Sequence, residues 1–264
     1  MVENEVVFSQ FERLKRKRGV WEDHWEQIAE RVLTRSAEFT GKREQGDRRT
    51  HKLYDATAAL ALERFAAAVE SLLTPRGATW HTIRSTNPDL NRDDEVKLWF
   101  DAVNQAMFHH RYSPRANFAS QMHEGYLGLG AFGTAGLFVD EARIRGMMYR
   151  AVHLSDLYVM ENHQGIIDTV YRTIETSARN VEKMFPDGNI STDTIKLAKE
   201  KPDTPVRLLH LVQPREDRDP ERRTRTNMPW FSGYFEVETK ELIEEGGFPS
   251  NPYIVSRYNT GPRE

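Results

Sequence analysis

Any chemistry in this chain has to come from a small set of side chains. Gly128-Leu129-Gly130-Ala131-Phe132-Gly133 matches G-x-G-x-x-G. In a dinucleotide site that pattern works because a strand leads in and a helix N-terminus receives the pyrophosphate. Here the periodicity predicts a helix before the glycines and a strand after them. In that reversed order the stretch reads as a helix-to-strand connection or a place of close backbone packing. No G-x-x-x-x-G-K-[ST] loop and no G-x-S-x-G elbow occurs. Of nine histidines, His109 and His110 are adjacent and so point to different sides of a helix, and His123-Glu124 lacks the second histidine of H-E-x-x-H. With no cysteine, thiol nucleophiles, disulfides and cysteine-based metal sites are excluded. The Asn189-Ile190-Ser191 sequon has no secretion signal before it to give it meaning. These readings assign no catalytic, cofactor-binding or metal-binding residue.

Charge is the more conspicuous chemistry. Arg13, Lys15, Arg16, Lys17 and Arg18 fall within about a turn and a half of one predicted helix. Arg215, Arg218, Arg222, Arg223 and Arg225 are interleaved with Glu216, Asp217, Asp219 and Glu221. Each run reads either as a solvated, salt-bridged surface or as a contact with DNA phosphates or an acidic neighbouring subunit. The mixed signs of the second run fit a subunit contact better than a phosphate track. Its five arginines are therefore the candidate contact residues. Overall, 37 Lys+Arg stand against 40 Asp+Glu, a net charge of −3, which argues against a small basic nucleic-acid module. Mean hydropathy is −0.68. No apolar run approaches the roughly 18 residues of a membrane span, so no membrane is expected as a partner. The polar, acidic opening Met1-Val2-Glu3-Asn4-Glu5 does not read as a signal peptide, and the composition suits a reducing cytoplasm.

Helices must position these groups in the first half. Trp21, Trp25, Ile28 and Val32 step by four, three and four, predicting a helix from Phe8 to Leu33 that Gly19 weakens or bends. Thr34 to Thr50, with Lys42, Arg43, Arg48 and Arg49, reads as a loop. An alanine-rich helix follows Asp55, a plausible cap, with Leu62, Phe65, Val69, Leu72 and Leu73 as its apolar stripe. Its small residues on all sides predict a central position, and Thr74-Pro75-Arg76-Gly77 ends it. Trp80-His81-Thr82-Ile83 looks like a short strand. A third helix is expected from Pro88 to about His109, burying Val96, Trp99, Phe100, Val103 and Met107. Ser113-Pro114 is read as the start of a fourth, which spaces Phe118, Met122 and Tyr126 by four. The aromatics Trp21, Trp25, Trp99 and Phe100 are expected in the core.

From Gly133 the period changes. Strands are predicted at 136–140, 147–152, 157–160, 166–174, 206–212 and 234–238, with a last hairpin from 242–247 and 252–258. Short helices are expected from Ser177 to Met184 and from Thr192 to Glu200. The fold class is α+β: a helical N-terminal half followed by a mixed, mostly antiparallel strand-rich half. The expected organisation is a helical segment over 1–130 and a strand-rich segment with short helices over 131–264.

Several stretches, taken in order, resemble the portal proteins, the head-to-tail connecting proteins of short-tailed (podovirus-type) bacteriophages. They are Phe11-Glu12-Arg13-Leu14-Lys15 leading to Trp21 and Trp25; Leu53-Tyr54-Asp55-Ala56-Thr57-Ala58; Leu72-Leu73-Thr74-Pro75 with Trp80; Gly128 to Ala135; Asn162-His163-Gln164-Gly165; and Pro249-Ser250-Asn251-Pro252-Tyr253 to Arg257-Tyr258. The resemblance implies a structural, non-enzymatic subunit without cofactors. Such a subunit belongs to a homo-oligomeric ring, usually of twelve, at the portal vertex of the virion, assembled in the host cytoplasm. Double-stranded DNA passes through the ring's channel. The implied partners are the packaging terminase, tail adaptor proteins, and capsid and scaffolding proteins. Family members continue into stem, clip and crown, whereas this chain stops at Thr260-Gly261-Pro262-Arg263-Glu264. It is therefore expected to be the N-terminal part, wing plus part of the core, from a truncated gene or an integrated prophage. Two other readings stay open on the residues alone. One is a cytoplasmic α+β nucleotide- or nucleic-acid-processing enzyme using Gly128–Gly133 with His123 or His153. The other is a free-standing adaptor that binds a protein or DNA without forming a ring. A strand before the glycines and a helix after them would favour the enzyme.

Overall fold

A computed structural model of the chain describes residues 3–41, 46, 50, 52–141, 146–219, 221–222 and 224–258. Helices dominate the first half: α1 (Asn4–Val32), α2 (Thr57–Leu73), α3 (Asp94–Arg111) and α4 (Phe118–Phe132). Strands β1 (Thr134–Glu141), β2 (Met147–Val152), β3 (Leu157–Glu161) and β4 (Ile167–Ser177) follow. After them come α5 (Ala178–Met184), α6 (Thr192–Glu200) and strands β5 (Pro205–Pro214), β6 (Trp230–Glu236), β7 (Leu242–Phe248) and β8 (Tyr253–Arg257). This is the expected α+β order. The chain forms two compact units. The first comprises Met1–His24 with Leu154–Tyr253, and the second comprises Trp25–His153 with Ile254–Glu264.

The first unit is built on a five-stranded sheet, β3-β4-β5-β6-β7, whose neighbours all pair antiparallel. Side chains alternate across the faces of a strand. Leu209 and Leu211 of β5 therefore join Val7, Phe8 and Phe11 of α1, together with Tyr171 and Phe235, on one face. Leu208 meets Val181 and Phe185 of α5 on the other. Covered on both sides, β5 buries Val206, Leu208, Leu209, Leu211 and Val212, with His210 buried among them. Ser191 caps α6 by accepting the Thr194 N–H, and the buried Glu236 carboxylate accepts from both hydroxyls, at 2.9 Å from Ser191 and 2.6 Å from Thr194. Ser177 precedes α5, but its side chain makes no capping bond.

In the second unit, α2 lies on α4 through Leu62 and Ala66 against Leu127 and Tyr126. Phe118 of α4 packs with Leu137 of β1 and Tyr149 of β2. A three-stranded sheet has the order β2-β1-β8.

Several expectations are corrected. β7 and β8 belong to different sheets, so residues 242–258 are not a hairpin. Residues 80–83 form no strand. Their backbone is satisfied by a side-chain amide: Asn104 accepts the Ile83 N–H at 2.7 Å and donates to the Ile83 carbonyl at 3.4 Å. Asn91 does the same for Ser85. α3 starts at Asp94, not Pro88, because Asp93 accepts the Glu95 and Val96 N–H groups and fixes the first turn. α4 starts at Phe118 rather than at Ser113-Pro114, after Asn117 in the left-handed conformation (φ 55°). α1 runs unbroken through Gly19.

α2 is not enclosed by the described chain. Only Leu62 and Ala66 are buried in it, while Leu72 and Leu73 are 79% and 60% exposed. Trp21 and Trp99 are also exposed, and the only fully buried residue of α3 is Asn104. The described residues thus leave Phe65, Leu72 and Leu73 of the α2 stripe and Trp99 of the α3 stripe uncovered, while Val96, Phe100, Val103 and Met107 are half-buried.

Candidate functional surfaces

The acidic–basic loop 214–229 belongs to the first unit. Arg215 is largely buried: it donates to Glu245 Oε1 at 2.8 Å and to the Gly246 carbonyl at 3.2 Å, and it stacks 5.1 Å from the centre of the Phe231 ring. Asn227 ties the loop together, with its amide nitrogen donating to the Asp219 and Arg222 carbonyls and its oxygen accepting the Asp219 N–H. Arg222 and Arg225 are exposed and pair within the loop's surroundings, with Asp219 at 3.3 Å and Glu244 at 2.7 Å. Exposed pairs of this kind contribute about 0–1 kcal/mol, so either guanidinium is available for exchange onto another partner. Arg218 is exposed. Arg223 lies outside the described residues, as do Lys42, Arg43, Arg48 and Arg49. The fold therefore uses Arg215 to fix the loop and presents Arg218, Arg222 and Arg225.

The helical basic run divides in the same way. Arg13, Lys15, Arg16 and Lys17 are exposed on α1. Arg18 is not: its guanidinium donates to the carbonyls of Leu154, Ser155 and Leu157 at 3.0, 2.6 and 2.8 Å and to Glu22 Oε1 at 2.6–2.8 Å, and it lies 3.5 Å over the Tyr158 ring. It anchors the turn leading into β3. Glu22 lies an i,i+4 step away, but the three carbonyl acceptors that set Arg18 apart lie more than 130 positions away, beyond the reach of residue spacing.

The glycines sit in the order the periodicity predicts. Gly128 and Gly130 are inside α4, and Gly133 ends it in the left-handed region (φ 72°) before β1 begins. A helix leads in and a strand leads out, so the pyrophosphate-cradling arrangement is not formed. Gly130 instead permits contact between helices: a Cβ there would lie 2.6 Å from Leu62 and 2.8 Å from Phe65 of α2. His123, proposed for the enzyme reading, is held between Glu70 (3.0 Å) and Glu63 (3.4 Å) of α2. His153 bonds the Ser36 carbonyl at 3.1 Å. Among the described residues, no group of three or more His, Asp or Glu is placed to hold a metal ion, and no helix is long and apolar enough to cross a membrane.

The most perturbed titratable group lies in the first unit's sheet. His210 of β5 is fully buried, within hydrogen-bond reach of the Tyr253 (2.6 Å) and Ser232 (2.9 Å) hydroxyls and stacked parallel to Tyr234 at 4.0 Å. Desolvation, assisted by the Arg172 charge, lowers its pKa to about 3, so the ring is neutral. On the opposite face Tyr171 donates to Gln10 at 2.8 Å, and burial pushes its hydroxyl up to about 12. Both groups are packed among core residues and serve the sheet.

The described residues thus define an α+β scaffold that presents charged loops and uncovered helix faces. The chain matches the family of the bacteriophage head to tail connecting protein over residues 5–264 and belongs to it. That family is one of structural connectors. The chain is 28% identical over 249 residues, 92% of its length, to a probable portal protein of Bordetella phage BPP-1. It is 26% identical over 263 residues, 97% of its length, to the portal protein of Salmonella phage epsilon15. It spans 44% and 46% of those two relatives, less than half of either.

Proposed function

We propose that this chain is a structural subunit of a portal ring through which double-stranded DNA is packaged and ejected, and that its work is geometric rather than catalytic. The observation that carries this reading is the family match across residues 5–264, together with the portal function named for both relatives. The helix-to-strand order at Gly128–Gly133 and the structural partners of His123 and His153 support it against the nucleotide-enzyme reading. The proposed assembly is a ring of about twelve copies, the usual number for such portals. It sits at the portal vertex and is built in the host cytoplasm with terminase, tail adaptor, capsid and scaffolding proteins as partners. A ring joins unlike surfaces head to tail and closes only if the rotation per subunit is right. Arg218, Arg222, Arg223 and Arg225 are proposed as subunit contacts, with Arg215 holding their loop in place. Native mass spectrometry with light scattering tests the reading directly. Closed rings of one stoichiometry are expected, and a monomer at every concentration overturns it.

A further inference from the structure

Resting on the ring reading, we propose that neighbouring copies dock helix on helix, the exposed seam of α2 in one copy receiving the exposed face of α3 in the next. α2 carries two apolar stripes. Leu62, Ala66 and Val69 face α4. Beside them Ala58, Ala61, Phe65, Ala68 and Leu72 step by three, four, three and four and are exposed, Phe65 least (38%) because its ring also lies against Gly130 of α4. That is the repeat by which one helix receives knobs from another, and the alanines leave room for bulky ones. α3 supplies such knobs: Leu98 and Trp99, 70% and 61% exposed, share a side with exposed Ala102 and Ala106. The two faces are unlike in shape and opposite in marginal charge. Arg64 borders the α2 seam and Asp101 borders the α3 face, and neither has an ion-pair partner among the described residues. Pairing α2 with a second α2 would bring the two Arg64 charges together, a repulsive arrangement. One small-sided cationic seam and one bulky anionic face on the same chain are the two patches that a head-to-tail closure requires.

The chain has no cysteine, so single introduced thiols report contacts without background. Ala68→Cys and Ala102→Cys proteins are prepared separately and treated with a short bis-maleimide, alone and mixed. A covalent dimer is expected in the mixture and not in either protein alone. Cross-linking of the Ala68→Cys protein by itself indicates a twofold α2–α2 contact and overturns the proposal. Absence of any cross-link also overturns it. Light scattering on the same samples then separates the two failures. Rings without the cross-link remove this contact and leave the portal reading standing, whereas monomers remove both. Arg64→Glu and Asp101→Lys should each reduce the cross-linked fraction several-fold. Both changes in every chain should restore it, and lack of restoration counts against the charge pairing.

Discussion

Replacing Arg18 by alanine is predicted to destabilise the first unit by about 3 kcal/mol. The guanidinium serves three carbonyls, at 3.0, 2.6 and 2.8 Å, and one carboxylate, and it lies on the Tyr158 ring at 3.5 Å. A charged hydrogen bond contributes about 1.5–3 kcal/mol, and a cation–π contact at a partly exposed site about 0.5–1 kcal/mol. The full sum is not lost, because water reaches part of the site and satisfies some of the freed carbonyls. Of the pair, the Arg18 side chain is 11% exposed and Glu22 20%. Arg18→Lys keeps the charge but not the fork of donors, and should lose about half as much. Arg13→Ala and Lys17→Ala, on exposed positions of the same helix, should stay within about 0.5 kcal/mol. Urea unfolding followed by hydrogen exchange in peptides from β3 and β4 is the suitable assay, since one global midpoint would mix two units. At a slope of about 1–3 kcal/mol per molar urea, the expected loss moves the midpoint by about 1–3 M. An Arg18→Ala midpoint indistinguishable from that of Arg13→Ala would refute the anchoring role.

Acid should weaken the first unit through His210. Its folded pKa is about 3 against an ordinary 6.5, so between those values the unfolded state binds the extra proton. Stability therefore falls as pH drops below about 6.5, by up to about 1.4 kcal/mol per pH unit for one proton. His210→Gln should show a shallower slope between pH 7 and 4.5 in urea titrations, and an unchanged slope assigns the acid sensitivity elsewhere. Gly125→Ala, with nothing within 4 Å, should gain about 0.5–1 kcal/mol, whereas Gly130→Ala, whose Cβ meets Leu62 and Phe65, should be less stable than Gly125→Ala by about 1–3 kcal/mol; thermal melts of the two variants check the order. Arg222→Glu combined with Arg223→Glu should lower ring yield while leaving the melting temperature nearly unchanged. Unchanged rings in native mass spectra would rule out a contact there.

Much of the fold was legible because most of its elements are declared locally. The four-three-four spacing of Trp21, Trp25, Ile28 and Val32 predicts α1, and the largely apolar stretch 206–212, interrupted by Arg207 and His210, predicts β5. The reversed order of elements around Gly128–Gly133 was readable for the same reason. What escaped depends on distant partners. Asn104 substitutes for a strand beside Ile83, and Arg18 seeks carbonyls beyond position 150; neither leaves a pattern within a window of the sequence. Leu72 and Leu73 of α2 and Trp99 of α3 lie on apolar stripes yet are exposed, whereas Val69, Val96, Phe100, Val103 and Met107 are half-buried. Periodicity shows that a face wants covering and does not say whether the same molecule covers it. Arg215 and Arg222 likewise look alike in sequence, and only the packing of β6 and β7 separates the buried anchor from the exposed charge.

The first unit takes α1, the helix on one face of its sheet, from before residue 25, and the whole sheet with α5 and α6 from after residue 153. A nascent chain emerging from the ribosome therefore carries Val7, Phe8 and Phe11 long before β5 and β6 exist to receive them. At about 5–20 residues per second, that wait lasts roughly 10–50 s. Within the intervening stretch α2, α3, α4 and the β1–β2 pair can form meanwhile, while both sheets wait for strands made after residue 204. Shortening the chain from its start, even by a dozen residues, would strip one face of a sheet encoded more than a hundred codons downstream.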